Sequence, residues 1–275
     1  MRHVITMAGT GAIGLMAVFA VDLLNYFYIS HLHDSALTAA IAFATSLSFL
    51  QISVSIGMTI GLGACIGRLI GARQHAEARS LASAFIAVMV GIAAVLGTLT
   101  AVFATPLLRL LGAQGAALEN AATFLHIVSP ALPLVCLGMA LSALLRAVGD
   151  AKRSMRITLT GALVSALLDP LMIFVLHLGL EGAAISTILA RCAITASGFL
   201  NLRGHAMLEW PKKEAFEPAM RKIGGIAVPA IATNLATPTG ALFVLTPWHS
   251  LGWMLFRDRQ LSTALCLLRF HWFLL

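Results

Sequence analysis

Long apolar runs alternate with short polar clusters along most of the chain, and the clusters carry nearly all of the charge. A helix needs about 20 apolar residues to cross the hydrocarbon core of a bilayer. By that measure the runs predict spans at 5–29, 37–67, 81–105, 120–143, 157–178 and 183–203, with a seventh beginning near 223. The second run exceeds what a perpendicular helix requires, which predicts a tilted or protruding element. Only Arg2 and His3 precede the first run, with no small-residue cleavage site after it, so the first span reads as a retained helix.

The clusters are asymmetric. Arg2, then Arg68, Arg73 and Arg79, then Arg146, Lys152, Arg153 and Arg156, then Arg203, Lys212, Lys213, Arg221 and Lys222 fall on one side of the predicted spans. The opposite loops hold Arg109. Basic side chains stay on the cytoplasmic face of inserted helices, so the N-terminus is expected in the cytoplasm and the protein in the inner (plasma) membrane.

Composition agrees with that pattern. Hydrophobic residues make up 59% of the 275 residues and charged ones 11%, with a mean hydropathy of +0.93. Soluble domains carry about 25% charged residues, so water-soluble classes are excluded. The fold class expected is an all-α polytopic membrane protein. The net charge of +7 belongs to the loops that orient it and does not point to nucleic acid. Cys65, Cys136 and Cys192 lie in apolar runs without ligand spacing and read as small hydrophobes. His31 and His33 read as solvated loop residues.

Four segments are expected: a six-helix bundle over 1–204, a polar cytoplasmic linker over 205–222, the start of a seventh helix over 223–245, and a tail over 246–275. The linker (HAMLEWPKKEAFEPAMRK) contains Pro211 and Pro218 and is expected to include a short helix around Glu214–Lys222. After Leu245 the Ala/Gly-rich texture stops, and Trp248, Trp253 and Trp272 appear beside Arg257, Arg259 and Arg269. This tail reads as an aberrant, out-of-frame segment or as an interfacial one anchored by Trp and Arg.

Acidic residues inside spans are costly, so they are candidates for function. Asp22 lies in the first span and Asp169 in the fifth. Asn25 is at i+3 from Asp22, and Ser165 at i−4 from Asp169, each pair on one helix face. Pro170 cannot donate to the carbonyl of Ala166, which leaves an acceptor one turn from Asp169. Facing inward, these groups would form an acidic, hydroxyl-lined cavity for a proton or Na⁺. Their bland alternative is interhelical hydrogen bonding. Arg191, in the sixth span, is open to reading as a counter-ion, a substrate contact or a packing residue. The turn at Gly149 and Asp150 reads as a tight interhelical loop, with Asp150 partnering the start of the next helix.

Several stretches together resemble the multidrug and toxic compound extrusion family of antiporters. They are VDLL…HDSALTAA (21–40), IGLGACIGRLIGARQHAEA (60–78), LLGAQGAALENAATFLHI (110–127), LLRAVGDAKRSM (144–155) and LLDPLMIFVLHLGLEGAAISTILA (167–190). The resemblance runs over roughly 5–240. It implies two six-helix bundles that open alternately to each side, driven by H⁺ or Na⁺, of which this chain supplies the first bundle and the start of the second. By motif it makes Asp22 and Asp169 the ion-coupling carboxylates, with Thr187 an oxygen-bearing partner. Ser165 stands where the family usually has Asn.

The function expected is therefore cation-coupled antiport of drugs or toxic organic compounds, some of them cationic, by a truncated half. No cofactor is expected beyond the coupling ion. Partners would be the lipid bilayer and either a missing second bundle or a homodimer partner. Alternatives are a lipid-linked saccharide flippase, which should show more cavity cations than Arg191, and a non-transporting remnant. An intramembrane aspartyl protease would need Gly-x-Gly-Asp, and Ala147 precedes Val148-Gly149-Asp150 here. The protein is not expected to be an enzyme.

Overall fold

The computed structural model describes residues 35–176, 178–205, 207, 209–210 and 215–236, together with scattered helical positions between 9 and 24. Asp22, Asn25 and the tail after 236 lie outside the described residues. The described elements are α1 (Ser35–Gly71), α2 (His75–Val102), α3 (Ala104–Leu110), α4 (Gly115–Val128), α5 (Leu132–Ala147), α6 (Ala151–Pro170), α7 (Gly179–Leu202) and α8 (Phe216–Lys222). A last helix, α9, runs over 228–236. No strand occurs among the described residues.

Five helical segments are long and apolar enough to cross a membrane: Leu37–Gly71, His75–Val102, Gly115–Ala147, Ala151–Ile173 and Gly179–Leu202. They coincide with the second to sixth predicted spans, and the chain is a multi-pass, all-helical membrane protein. The 37-residue α1 is about 55 Å long at 1.5 Å per residue, well beyond a hydrocarbon core of about 30 Å.

Two predicted spans are broken where the sequence reading made them continuous. The third ends at Phe103, and α3 starts anew at Ala104. Pro106 cannot donate to Val102, so the helical ladder loses one bond there, while Leu107 still donates to the Phe103 carbonyl at 3.0 Å. The fourth is split by a 3₁₀ turn at Ser129–Ala131, where Pro130 and Pro133 remove two donors in succession. There the Leu132 N–H turns to the Ser129 carbonyl.

Packing separates the buried from the lipid-facing sides. Leu163 and Leu167 form an exposed stripe on α6 that Leu171 of the following turn continues, and Val95, Leu99 and Val102 form another on α2. Inside, one apolar core joins Met58, Leu62, Phe85, Met89, Leu141 and Leu144 with Ile223, and a second joins Ala40, Ala44, Leu47, Leu108 and Leu125. Small residues set the helix spacing. The Ile194 side chain of α7 lies against both Gly138 of α5 and Gly161 of α6, where an added Cβ would collide with it.

The turns on the basic side are tied together by polar contacts. Asp150 caps α6 by accepting from the Arg153 N–H at 3.1 Å, as the sequence suggested, and its other oxygen pairs with the Arg153 guanidinium at 3.2 Å. Arg153 also reaches the Asn201 carbonyl at the end of α7. Glu209 pairs with Arg79 at 3.7 Å and donates its N–H to the Ser83 hydroxyl at 3.0 Å, holding the polar connector against α2. Beyond it α8 buries Ala219 on the bundle.

Candidate functional site

Asp169 occupies the last turn of α6, about 27 Å along the helix from Ala151, and is 3% exposed. Its neighbour Leu167, two residues away and so on the opposite face, is among the exposed leucines. The carboxylate is thus turned from the lipid side toward α7. There the Ser186 hydroxyl donates to an Asp169 oxygen. Ser186 is itself fully buried.

The backbone beside this pair departs from α geometry. Pro170 cannot continue the hydrogen-bond ladder, and residues Leu171–Val175 form a π turn. Such turns widen the helix and alter which carbonyls are bonded, and they recur at functional positions. Gly182 of α7 lets the two segments approach: a Cβ there would lie 2.8 Å from the Met172 carbonyl oxygen. Local sequence therefore builds the site twice, through Pro170 on one helix and Gly182 on the other.

The other residues singled out in the sequence are distributed around this pair. Ser165 is half-buried one turn before Asp169 on the same face. Thr187 is half-buried and donates to the Ala183 carbonyl of its own helix at 2.8 Å. Arg191 donates to the Val128 carbonyl at 2.9 Å, on a different side of α7. Asp22 and Asn25 lie outside the described residues.

Ser186 was not singled out by the sequence. The available signal was the Ser186-Thr187 doublet, but its two members point about 100° apart on a helix. Which hydroxyl meets Asp169 depends on the rotation of α7 against α6.

A carboxylate with a hydroxyl beside it can take up a proton or contribute oxygens to a hard cation. Among the described residues no group of three or more His, Cys, Asp or Glu is arranged to hold a metal ion.

A family model described as MatE matches residues 12–171. The chain is 32% identical over 247 residues to the FAD transporter of Shewanella oneidensis, covering 86% of this chain and 54% of that one. It is 28% identical over 183 residues to the multidrug export protein MepA of Staphylococcus aureus, covering 66% of this chain and 40% of that one. Its fold is similar to the crystal structure of the Vibrio cholerae MATE transporter VcmN in the bent form. That likeness has a TM-score of 0.83 at 22% identity and covers 91% of this chain and 57% of that one. The chain spans about half the length of the curated relatives it matches.

Proposed function

The chain belongs to the MatE family, and from that premise we propose that it works in cation-coupled export of organic compounds, with H⁺ or Na⁺ as the coupling ion. The observation that carries the reading is the Asp169 carboxylate, buried within a membrane-crossing segment and met by the Ser186 hydroxyl. A charge in that position is costly, and binding a proton or Na⁺ neutralises it. If the ion binds one bundle arrangement better than the other, its arrival shifts the balance between inward- and outward-open states. Asp22, Ser165 and Thr187 complete the proposed ion-coupling set, with Asn25 and Pro170 supporting it.

The proposed setting is the inner membrane with a cytoplasmic N-terminus, in line with the basic residues of the tied turns. A cavity between two bundles needs a partner bundle, either the second bundle that the family resemblance implies or a second copy of the chain.

Everted vesicles containing the chain test the proposal. An imposed proton or Na⁺ gradient should drive uptake of a fluorescent cationic dye, and Asp169→Asn should remove that response while the protein still inserts. Gradient-driven uptake that survives in Asp169→Asn would sink the assignment of the coupling site.

A second reading concerns the cargo. Similarity to the FAD transporter, together with the membrane-embedded cation Arg191, favours an anionic flavin nucleotide as one exported compound. Uptake of FAD by the same vesicles, in competition with the dye, measures this reading separately from ion coupling.

A further inference from the structure

Arg191 lies halfway along α7, about 18 Å from Gly179. Charged side chains at such depth face protein or a water-filled cavity, because lipid tails offer them no partners. One guanidinium nitrogen donates to the Val128 carbonyl at 2.9 Å. A carbonyl has two lone pairs, so Val128 can accept this side-chain donor beside a backbone one. In an unbroken α-helix it would accept from the Leu132 N–H, and the 3₁₀ turn sends that N–H to Ser129 instead.

Fixed donors occupy the rest of the break. The Gln51 amide reaches the Ser129 hydroxyl at 3.3 Å, and Thr195, one turn beyond Arg191, donates to the Leu134 carbonyl at 3.1 Å. Arg191 is thereby held at one edge, while a guanidinium has five N–H donors. Its side chain is neither sealed nor fully exposed. Among the described residues the ion pairs are Arg79–Glu209 and Arg153–Asp150, so no carboxylate there bridges to Arg191. Asp169 meets α7 at Ser186, which is five residues away and about 140° around the helix.

We infer that Arg191 binds an anionic group of the transported solute, a phosphate or diphosphate for preference. This inference rests on the export reading above and names the chemistry that its cargo would carry. A planar fork held at one edge by a carbonyl presents its remaining donors in the geometry that phosphate oxygens accept. The Val128 carbonyl, at the entry to the break at Ser129–Ala131, fixes the orientation. The phosphate could belong to a soluble nucleotide or to a lipid carrier, which share this chemistry.

Riboflavin and flavin mononucleotide differ only by the phosphate, so binding of both to the purified chain in nanodiscs isolates its contribution. Flavin mononucleotide should bind about tenfold tighter or more, as expected for a charge-assisted contact. Arg191→Gln should bring it to the riboflavin level and leave riboflavin unchanged. Arg191→Lys should keep part of the preference, having charge without the fork.

Loss of both ligands together in Arg191→Gln would make Arg191 a packing residue or a counter-ion, for instance to Asp22, and overturn the inference. Unchanged affinity for the mononucleotide would overturn it too. Failure of the unmutated chain to bind the mononucleotide would also overturn it, whereas dye export, read separately, would still stand. Competition by free pyrophosphate assigns the phosphate to a soluble solute, and competition by farnesyl pyrophosphate alone assigns it to a lipid carrier. Competition by neither counts against the site.

Discussion

The Ser186 hydroxyl donates to the Asp169 carboxylate across the α6–α7 interface, while the adjacent Thr187 hydroxyl turns back to the Ala183 carbonyl of its own helix. Ser186 also lies 3.0 Å from that carbonyl, so its proton has two acceptors and its contact with Asp169 can respond to the state of the carboxylate. In the proposed coupling, a proton or Na⁺ at Asp169 would share the carboxylate with this hydroxyl.

Ser186→Ala should therefore perturb ion-driven export more than Thr187→Ala. A hydrogen bond to a charged group is worth about 1.5–3 kcal/mol, although within membranes measured values run lower. A loss of roughly tenfold in gradient-driven uptake is expected for Ser186→Ala. Thr187→Ala should stay much closer to the parent. Dye uptake into everted vesicles at matched protein levels measures both, and a reversed ranking would place Thr187 at the carboxylate during transport.

The outcome for these two hydroxyls illustrates what the sequence carried. The spans were legible because an apolar run of sufficient length has one stable solution in a bilayer; α1 and α7 follow their runs within four residues, whereas α2 and α6 each begin six residues before theirs. The breaks at Phe103 and at Ser129–Ala131 were not read, although Pro106, Pro130 and Pro133 stood in plain view. Apolar residues on both sides of a break give no change in hydropathy, and only backbone bookkeeping shows it. Asp169 was legible because an acid within an apolar run is rare, although the structure places it in the last turn of α6 and not near the middle of the span. Its partner was not legible, because a rotation of about 100° decides between Ser186 and Thr187. Cap chemistry at Asp150 was legible, being local.

The glycines of α1 offer a sharper packing test. An added Cβ would lie 2.6 Å from the Ile231 Cα at Gly57 and 2.9 Å from the Ala227 Cβ at Gly61, whereas at Gly63 it would meet nothing within 4 Å. Overpacking a close contact costs about 1–3 kcal/mol. Gly57→Val and Gly61→Val should lower the temperature at which the detergent-solubilised protein aggregates by several degrees, and Gly63→Val should not. Equal behaviour of the three would mean that the approach of Ile223–Ala227 and α9 to α1 contributes nothing to stability.

Pro170 is expected to matter for function more than for folding. Its missing N–H and its ring, which clashes with the preceding turn, favour the widened turn at Leu171–Val175. Pro170→Ala restores a donor and favours a regular helix, which would rotate the residues after Asp169 and disturb the fit of Gly182 against the Met172 carbonyl. Export should fall several-fold while expression and solubility hold. An unchanged export rate would show that the π turn persists without the proline, set by α7 alone.

At the basic end, the two oxygens of Asp150 have separable roles. One accepts the Arg153 N–H and caps α6, and the other pairs with the Arg153 guanidinium. The ion pair is partly exposed, with the side chains 39% and 26% accessible, so screening leaves it worth little. The cap should dominate, at about 1 kcal/mol for replacement by alanine. Asn keeps a capping oxygen and loses the charge, so Asp150→Asn should retain nearly all thermal stability in detergent, and Asp150→Ala should lose a few degrees. High salt should not reproduce the alanine effect, because salt screens the pair and leaves the cap intact. If Asp150→Asn instead matches Asp150→Ala, the charge itself holds the turn between α5 and α6, and the pair with Arg153 outweighs the cap.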